Sequence, residues 1–175
     1  MSGWFNLAGE YGVNYALSLP MIMLTLFALC ILVTDLALPK KWKRVNALTA
    51  LAGVAFAFAA TVKLHLQFLH AERAGVPVTV FRGFAYNFGN PAMAIDRFAI
   101  YFYYLFLLGT AVAILISVRY LEIEREDHGE FYALMLFSVV GMMCMASGYD
   151  IVLLFIGLAL MATSTYVLVG FLRRD

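Results

Sequence analysis

Residues 19–38, with the sequence LPMIMLTLFALCILVTDLAL, decide the fold class of this chain. Asp35 is the one charged residue in the stretch, which is otherwise apolar apart from two threonines. A helix rises about 1.5 Å per residue, so about 20 apolar residues cross the roughly 30 Å hydrocarbon core of a bilayer. Pro20 stands in the first turn, where its missing N–H costs little, and Pro39 ends the run. The stretch therefore predicts a membrane-spanning helix at 19–38.

Further apolar runs continue this pattern along the chain. They predict spanning helices at about 45–68, 96–118, 130–145 and 151–171, with a longer extramembrane link at 69–95. Of the 175 residues, 64% are hydrophobic and 13% are charged, whereas a soluble domain has about 25% charged residues. The composition excludes a disordered chain and an ordinary soluble enzyme. We predict an all-α membrane protein in which residues 1–175 form a single multi-spanning membrane domain.

The distribution of basic residues predicts the orientation of these helices. One side of the membrane would carry Lys40, Lys41, Lys43, Arg44, Arg119, Arg125, Arg173 and Arg174, and the other Arg73, Arg82 and Arg97. By the positive-inside rule, the N-terminus lies outside and the C-terminus is cytoplasmic. The first 16 residues contain no Lys or Arg, so we expect no cleavable signal and a first run that remains as a span. A net charge of +1 gives no reason to expect a nucleic-acid partner.

The link at 69–95 contains a stretch of alternating large and small residues. The large ones are Val76, Val78, Val80, Phe84, Tyr86 and Phe88. Alternation on both sides of Arg82-Gly83 predicts a short external β-hairpin that turns at this dipeptide, with an irregular loop as the alternative. In the second helix, the small residues Ala50, Gly53, Ala57 and Ala60 share one face, which predicts close packing against neighbouring helices.

Apart from charges at the first residues of the third and fourth predicted spans, two charged residues fall inside predicted spans. A charge in the hydrocarbon is by default a functional candidate. Asp35 lies about one turn from the end of the first helix, within reach of Lys40, Lys41 or Arg44. Lys63 lies five residues before the predicted end of the second helix, where its side chain can extend to the membrane surface. We expect structural roles for both. The alternative for Lys63, with His65 and Gln67 nearby, is one station of a proton path.

Other polar residues in the spans have ordinary explanations. The hydroxyls of Thr163, Ser164 and Thr165 are expected to bond back to the preceding helical turn rather than to line water. Asp150 directly precedes the fifth helix and is expected to be its N-cap. Cys30 and Cys144 each lie in an apolar run and are expected to be small buried hydrophobic residues. We find no cofactor-binding motif, metal-ligand spacing or nucleophile constellation in the sequence, and therefore predict no catalytic, cofactor or metal residue in this chain alone.

From about residue 95 onward, the sequence carries motifs that resemble a known family. The segments DRFAIYFYYLFLL, EFYAL, GMMCMASGYD and LLFIGLALMATSTYVL follow one another in this order. They resemble the antiporter-like membrane subunits of NADH-quinone oxidoreductase (respiratory complex I), most closely the N-terminal portion of subunit N. The acidic residue and proline that end the first helix, in TDLALP, also fit this family. The resemblance is strongest over the second half of the chain.

This resemblance implies a truncated or split subunit-N-like component of a proton-translocating membrane arm in the bacterial inner membrane. NADH, FMN, iron–sulfur clusters and quinone would be bound by other subunits, which would be its partners together with the lipid bilayer. A separate chain carrying the remaining helices would be a further partner. The family's lysine-bearing broken helices, used for proton transfer, follow the portion matched here. The alternatives are a non-catalytic accessory, a degenerate membrane fragment, or part of a related cation/proton antiporter.

One residue departs from the family motif at a position that matters for proton transfer. The family has GLELMS in the fifth helix, where the glutamate tunes a channel lysine, and this chain has GLALMA at 157–162. Ala159 therefore occupies the position of the channel glutamate. Alanine cannot ionise or shift the pKa of a neighbouring lysine. The resemblance thus implies a scaffold contribution rather than a complete proton channel.

Overall fold

The computed structural model describes residues 17–37, 44–73, 81–85, 91–124 and 129–171. Within these ranges the chain forms α1 (Leu19–Ala37), α2 (Arg44–Arg73), β1 (Phe81–Ala85), β2 (Pro91–Ile95), α3 (Arg97–Glu124), α4 (Gly129–Ser147) and α5 (Ile151–Phe171). All five of these helices are long and apolar enough to cross a membrane. The prediction of an all-α membrane protein with about five spans is confirmed.

Two helices extend further than the apolar runs predicted. α2 continues through the polar residues that follow Phe68 and ends at Arg73, and α3 continues to Glu124 rather than ending near Val118. The predicted ends agree to within two residues with those of the apolar spans, Asn46–His70 and Arg97–Val118. The helices themselves are longer because helical hydrogen bonds continue into polar residues outside the apolar segment. Lys63 therefore lies ten residues from the end of α2, not five.

α4 occupies the centre of the helix bundle and packs against α1, α2, α3 and α5. Residues on several sides of α4 are buried, among them Tyr132, Leu136, Val140 and Met143. The small residues of α2 behave as predicted, since Ala50 and Ala57 are fully buried. A Cβ added at Gly53 would lie 2.7 Å from Phe27 Cβ, so the glycine permits the close approach of α1 and α2.

The link between α2 and α3 contains an antiparallel strand pair with a different register from the predicted hairpin. Phe81 pairs with Ile95 and Ala85 with Pro91, which puts Arg82 and Gly83 inside β1 instead of at the turn. The predicted turn position is therefore wrong. Ala92 of β2 also accepts hydrogen bonds from the backbone N–H groups of Tyr149 (3.0 Å) and Asp150 (3.3 Å), so β2 is held by a tertiary contact with the residues between α4 and α5. Residues 74–80 and 86–90 of the predicted hairpin lie outside the described residues.

Candidate functional site

The first candidate residue, Asp35, lies in a polar cluster that joins three helices. Its Oδ1 atom accepts a hydrogen bond from Asn46 Nδ2 of α2 at 2.7 Å and another from the backbone N–H of Gly129, at the start of α4, at 3.0 Å. Thr34 Oγ1 in turn donates to Asn46 Oδ1 at 3.3 Å. Asn46 is only 2% exposed. A buried amide atom without a hydrogen-bond partner costs free energy, and these contacts remove that cost for Asn46.

Gly129 makes this cluster sterically achievable. A Cβ added there would lie 2.5 Å from Asn46 Nδ2 and 2.8 Å from Asp35 Cβ. The first N–H groups of a helix have no partner within the helix and carry partial positive charge. Asp35 therefore acts as the N-terminal cap of α4 from a different helix, and the cluster fastens α1, α2 and α4 at one end of the bundle.

This geometry gives Asp35 partners that sequence reasoning missed. Asn46 and Gly129 are 11 and 94 residues away along the chain. One sequence signal could have indicated the cluster: an Asn at the start of an apolar helix needs a hydrogen-bond partner in lipid. The predicted ion-pair partners Lys40 and Lys41 lie outside the described residues, as does the side chain of Arg44.

The second candidate, Lys63, is exposed on the outer surface of α2 and is far from Asp35. Asn46, which contacts Asp35, is separated from Lys63 by 17 helical residues, or about 25 Å. The two charged groups therefore do not meet. Lys63 has no hydrogen-bond or ion-pair partner among the described side chains.

His65 lies close to Lys63 along the chain but is half-buried and faces α3. Its Nδ1 atom is 3.3 Å from the hydroxyl of Tyr104 on α3, and the ring of Phe58 packs edge-on against that tyrosine at a centroid distance of 5.2 Å. The Tyr104–His65 contact links α2 to α3 and separates His65 from Lys63 and Gln67, which share the other face. A proton path through all three side chains stays a prediction with no geometric support here.

The third position, Ala159, lies on the exposed side of α5. Nearby hydroxyls are used within the helix: Thr163 Oγ1 donates to the backbone carbonyl of Ala159 at 2.8 Å, and Thr165 Oγ1 donates to that of Met161 at 2.7 Å. The prediction that these two threonines bond back to the preceding turn is confirmed. The described part of α5 thus presents neither an ionisable side chain nor an uncommitted threonine hydroxyl at this position.

α5 is held to the bundle by one close helix crossing. A Cβ added at Gly141 of α4 would lie 2.7 Å from the carbonyl oxygen of Gly157, and one added at Gly157 would lie 2.9 Å from the carbonyl oxygen of Gly141. Two backbones can approach this closely only where side chains are absent.

Asp150 caps the start of α5, since its Oδ1 is 3.5 Å from the N–H of Val152 and its carbonyl accepts a hydrogen bond from the N–H of Leu154, which confirms the predicted N-cap.

No group of three or more potential metal ligands is found among the residues that the structure describes. The candidate positions thus divide by role. Asp35 joins three helices through hydrogen bonds. Lys63 is an exposed charge on α2, and Ala159 is an exposed apolar position on α5.

No protein-family model matches the chain. It is, however, 56% identical over 163 residues to NADH-quinone oxidoreductase subunit N 1 of Koribacter versatilis, a match that covers 93% of this chain. The chain is a relative of NADH-quinone oxidoreductase subunit N. Similarity to subunit N 2 of Solibacter usitatus (36% identity, 90% of this chain) and to subunit N of Trichlorobacter lovleyi (35% identity, 92% of this chain) supports the same relationship.

The chain spans about 30% of the length of each of these subunit N relatives. This fits the N-terminal portion of subunit N, as the motifs indicated. Together with the five apolar helices in the described residues, the relationship identifies a multi-pass membrane protein. Its relatives are named as subunits of an enzyme complex, NADH-quinone oxidoreductase.

Proposed function

We propose that this chain is a component of the membrane arm of a proton-translocating NADH-quinone oxidoreductase in the bacterial inner membrane. The observation that carries the proposal is the 56% identity to a subunit N over 93% of the chain. Other membrane-arm subunits would be its partners. NADH, FMN, iron–sulfur clusters and quinone would be bound elsewhere in the complex, and the N-terminus would face the outside of the cell.

Within that complex, the described helices would supply packing surface rather than the proton channel. Position 159 is alanine, and it lies on an exposed face of α5 whose threonine hydroxyls bond to their own helix. A residue with no titratable group cannot hold a proton or alter the pKa of a lysine supplied by another helix. The polar cluster at Asp35 and the glycine crossing between α4 and α5 support a scaffold role, because both fix helix positions without exposing reactive groups.

A deletion and complementation experiment tests this proposal. Removal of the gene is expected to abolish or strongly reduce NADH-quinone reductase activity in isolated membranes, and re-expression of the wild-type chain is expected to restore it. Unchanged activity after deletion would contradict a role in the complex. It would favour the alternative that Ala159 suggests, a non-catalytic accessory.

A substitution at position 159 distinguishes a scaffold role of this chain from a role in the proton channel. If a lysine on another helix faces this position, Ala159→Glu is expected to preserve or increase proton pumping at unchanged electron transfer. If position 159 faces lipid or a dry interface, the new carboxyl lacks a partner, and the chain is expected to accumulate less in the membrane. Ala159→Gln is the matched control, because glutamine is similar in size to glutamate but carries no charge.

A further inference from the structure

One face of α2 is not covered by the other described helices, and its residues change from apolar to cationic toward the C-terminal end. Its exposed residues, here called the α2 stripe, are Leu48, Ala55, Phe56, Ala59, Lys63, Leu66, His70 and Arg73. At 100° per residue, these positions fall within an arc of about 100°. The stripe is apolar from Leu48 to Ala59, and its later part carries Lys63, His70 and Arg73. The stripe is thus apolar in its N-terminal half and carries basic side chains in its C-terminal half.

The position of Lys63 along the span brings its ammonium group near the membrane surface. The apolar segment of α2 runs from Asn46 to His70, 25 residues, which corresponds to about 37 Å of helix against a hydrocarbon core of roughly 30 Å. A centred span therefore extends about 4 Å beyond the core at each end. Lys63 is seven residues, or about 10 Å, before His70, so its backbone lies about 7 Å inside the hydrocarbon edge. A lysine side chain at this depth extends toward the headgroups.

An anionic group beside Lys63 stabilises its ammonium group, because a charge near hydrocarbon is costly unless it is paired or hydrated. Asp96 and Asp150, two described acidic residues at the same end of the bundle, are committed to helix caps. Asp96 accepts the N–H of Ala99 at 2.7 Å, and Asp150 caps α5. The exposed neighbours along the stripe, Phe56 and Leu66, are 59% and 52% accessible and favour contact with an acyl chain.

We propose that the α2 stripe binds an anionic phospholipid. Lys63, with His70 and Arg73 nearer the surface, would contact the lipid phosphate, and the acyl chain would lie along the apolar half of the stripe. Charge complementarity selects an anionic headgroup, and the continuous apolar surface below the cations selects a lipid over a soluble phosphate. Lipid binding at Lys63 does not depend on the assembly of the chain into an oxidoreductase.

Competition between lipids tests this proposal directly. The full chain in mild detergent is mixed with equal amounts of phosphatidylglycerol and phosphatidylcholine, and the bound lipids are counted by native mass spectrometry. A cation near the membrane surface contributes about 1 kcal/mol to anionic lipid binding, so we expect Lys63→Gln to lower the phosphatidylglycerol preference about fivefold. Lys63→Arg is expected to keep the preference. Leu26→Ala, at an exposed position of α1 outside the stripe, serves as the matched control that also keeps it.

Several results would overturn the proposal. An unchanged lipid ratio in Lys63→Gln would show that the stripe does not select the headgroup through this residue. Displacement of the lipid by millimolar inorganic phosphate would assign the site to a soluble anion instead. Far-UV circular dichroism of each variant separates loss of binding from loss of fold, because Lys63→Arg and Lys63→Gln are expected to retain the helical content of the wild-type chain.

Discussion

Replacement of Asp35 by alanine is expected to loosen the end of the bundle at which α1, α2 and α4 meet. The substitution removes the acceptor for two donors, Asn46 Nδ2 at 2.7 Å and the Gly129 N–H at 3.0 Å. A hydrogen bond to a charged group contributes about 1.5–3 kcal/mol, and partial exposure of the carboxylate reduces this value. We expect the free energy of unfolding to fall by about 2–4 kcal/mol.

Asp35→Asn separates the hydrogen-bonding role from the charge. The amide keeps an oxygen where both donors converge but loses the attraction between a carboxylate and the N-terminus of α4, which is worth about 0.3–1 kcal/mol. We therefore expect Asp35→Asn to cost about 1 kcal/mol, well below Asp35→Ala. Thr25→Ala is the control on the same helix, since Thr25 donates only to the Ile22 carbonyl of its own helix; its cost should stay within about 0.5 kcal/mol.

Unfolding by sodium dodecyl sulfate in mixed micelles, followed by far-UV circular dichroism, measures these differences. A double-mutant cycle with Asn46→Ala is expected to give a coupling energy of about 1 kcal/mol or more, because the two side chains are in direct contact. Asp35→Ala within 0.5 kcal/mol of the wild-type chain would refute the reasoning. Equal losses for Asp35→Asn and Asp35→Ala would show that charge, rather than hydrogen-bond geometry, dominates the cluster.

Three further substitutions test other parts of the structure. Gly141→Ala is expected to lower the free energy of unfolding by about 1–3 kcal/mol, because its Cβ would meet the backbone of α5 at 2.6 Å. Gly109→Ala is the control, because nothing lies within 4 Å of the added Cβ. It should be neutral or stabilising by about 0.5–1 kcal/mol in the same assay. Tyr104→Phe removes the hydroxyl 3.3 Å from His65 and is expected to cost about 0.5–1.5 kcal/mol, with little further loss when His65→Ala is added. If a lysine on another helix faces position 159, Ala159→Glu is expected to preserve or increase proton pumping at an unchanged rate of electron transfer, measured by acidification of everted vesicles and NADH oxidation.

Each of these predictions has a contradicting result. Equal stability of Gly141→Ala and Gly109→Ala would mean that the α4–α5 crossing is not as close as described. Fully additive effects of Tyr104→Phe and His65→Ala would mean that these side chains do not interact. Loss of electron transfer in Ala159→Glu, with normal amounts of chain in the membrane, would mean that position 159 contributes more than packing surface.

The sequence was sufficient to predict the apolar helices, because hydropathy reports directly on burial in lipid. α5 has the predicted bounds, 151–171, and α1 ends within one residue of the prediction. Local rules were also sufficient for the N-cap at Asp150 and for the threonines that bond back to their own helix. These features depend on residues within about four positions of one another, so no tertiary information was needed.

Apart from the polar extensions of α2 and α3, the features that sequence reasoning missed depend on contacts between distant segments. The partners of Asp35 include Gly129, which is 94 residues away. The position of β2 involves hydrogen bonds between Ala92 and the residues that join α4 to α5. The proximity of His65 to Tyr104 requires the rotation of α2 against α3, which hydropathy does not specify. Periodicity describes each helix alone, whereas these sites are created by packing between helices.

The association of the chain with a membrane-arm complex is the central claim, and co-migration tests it most directly. The tagged chain, expressed in its native membrane and solubilised gently, is separated by size in native gels, and its companions are identified by mass spectrometry. We predict that it migrates with other NADH-quinone oxidoreductase subunits at the size of the intact complex. Migration of the chain alone, in a sample in which the complex itself remains intact, would contradict the account.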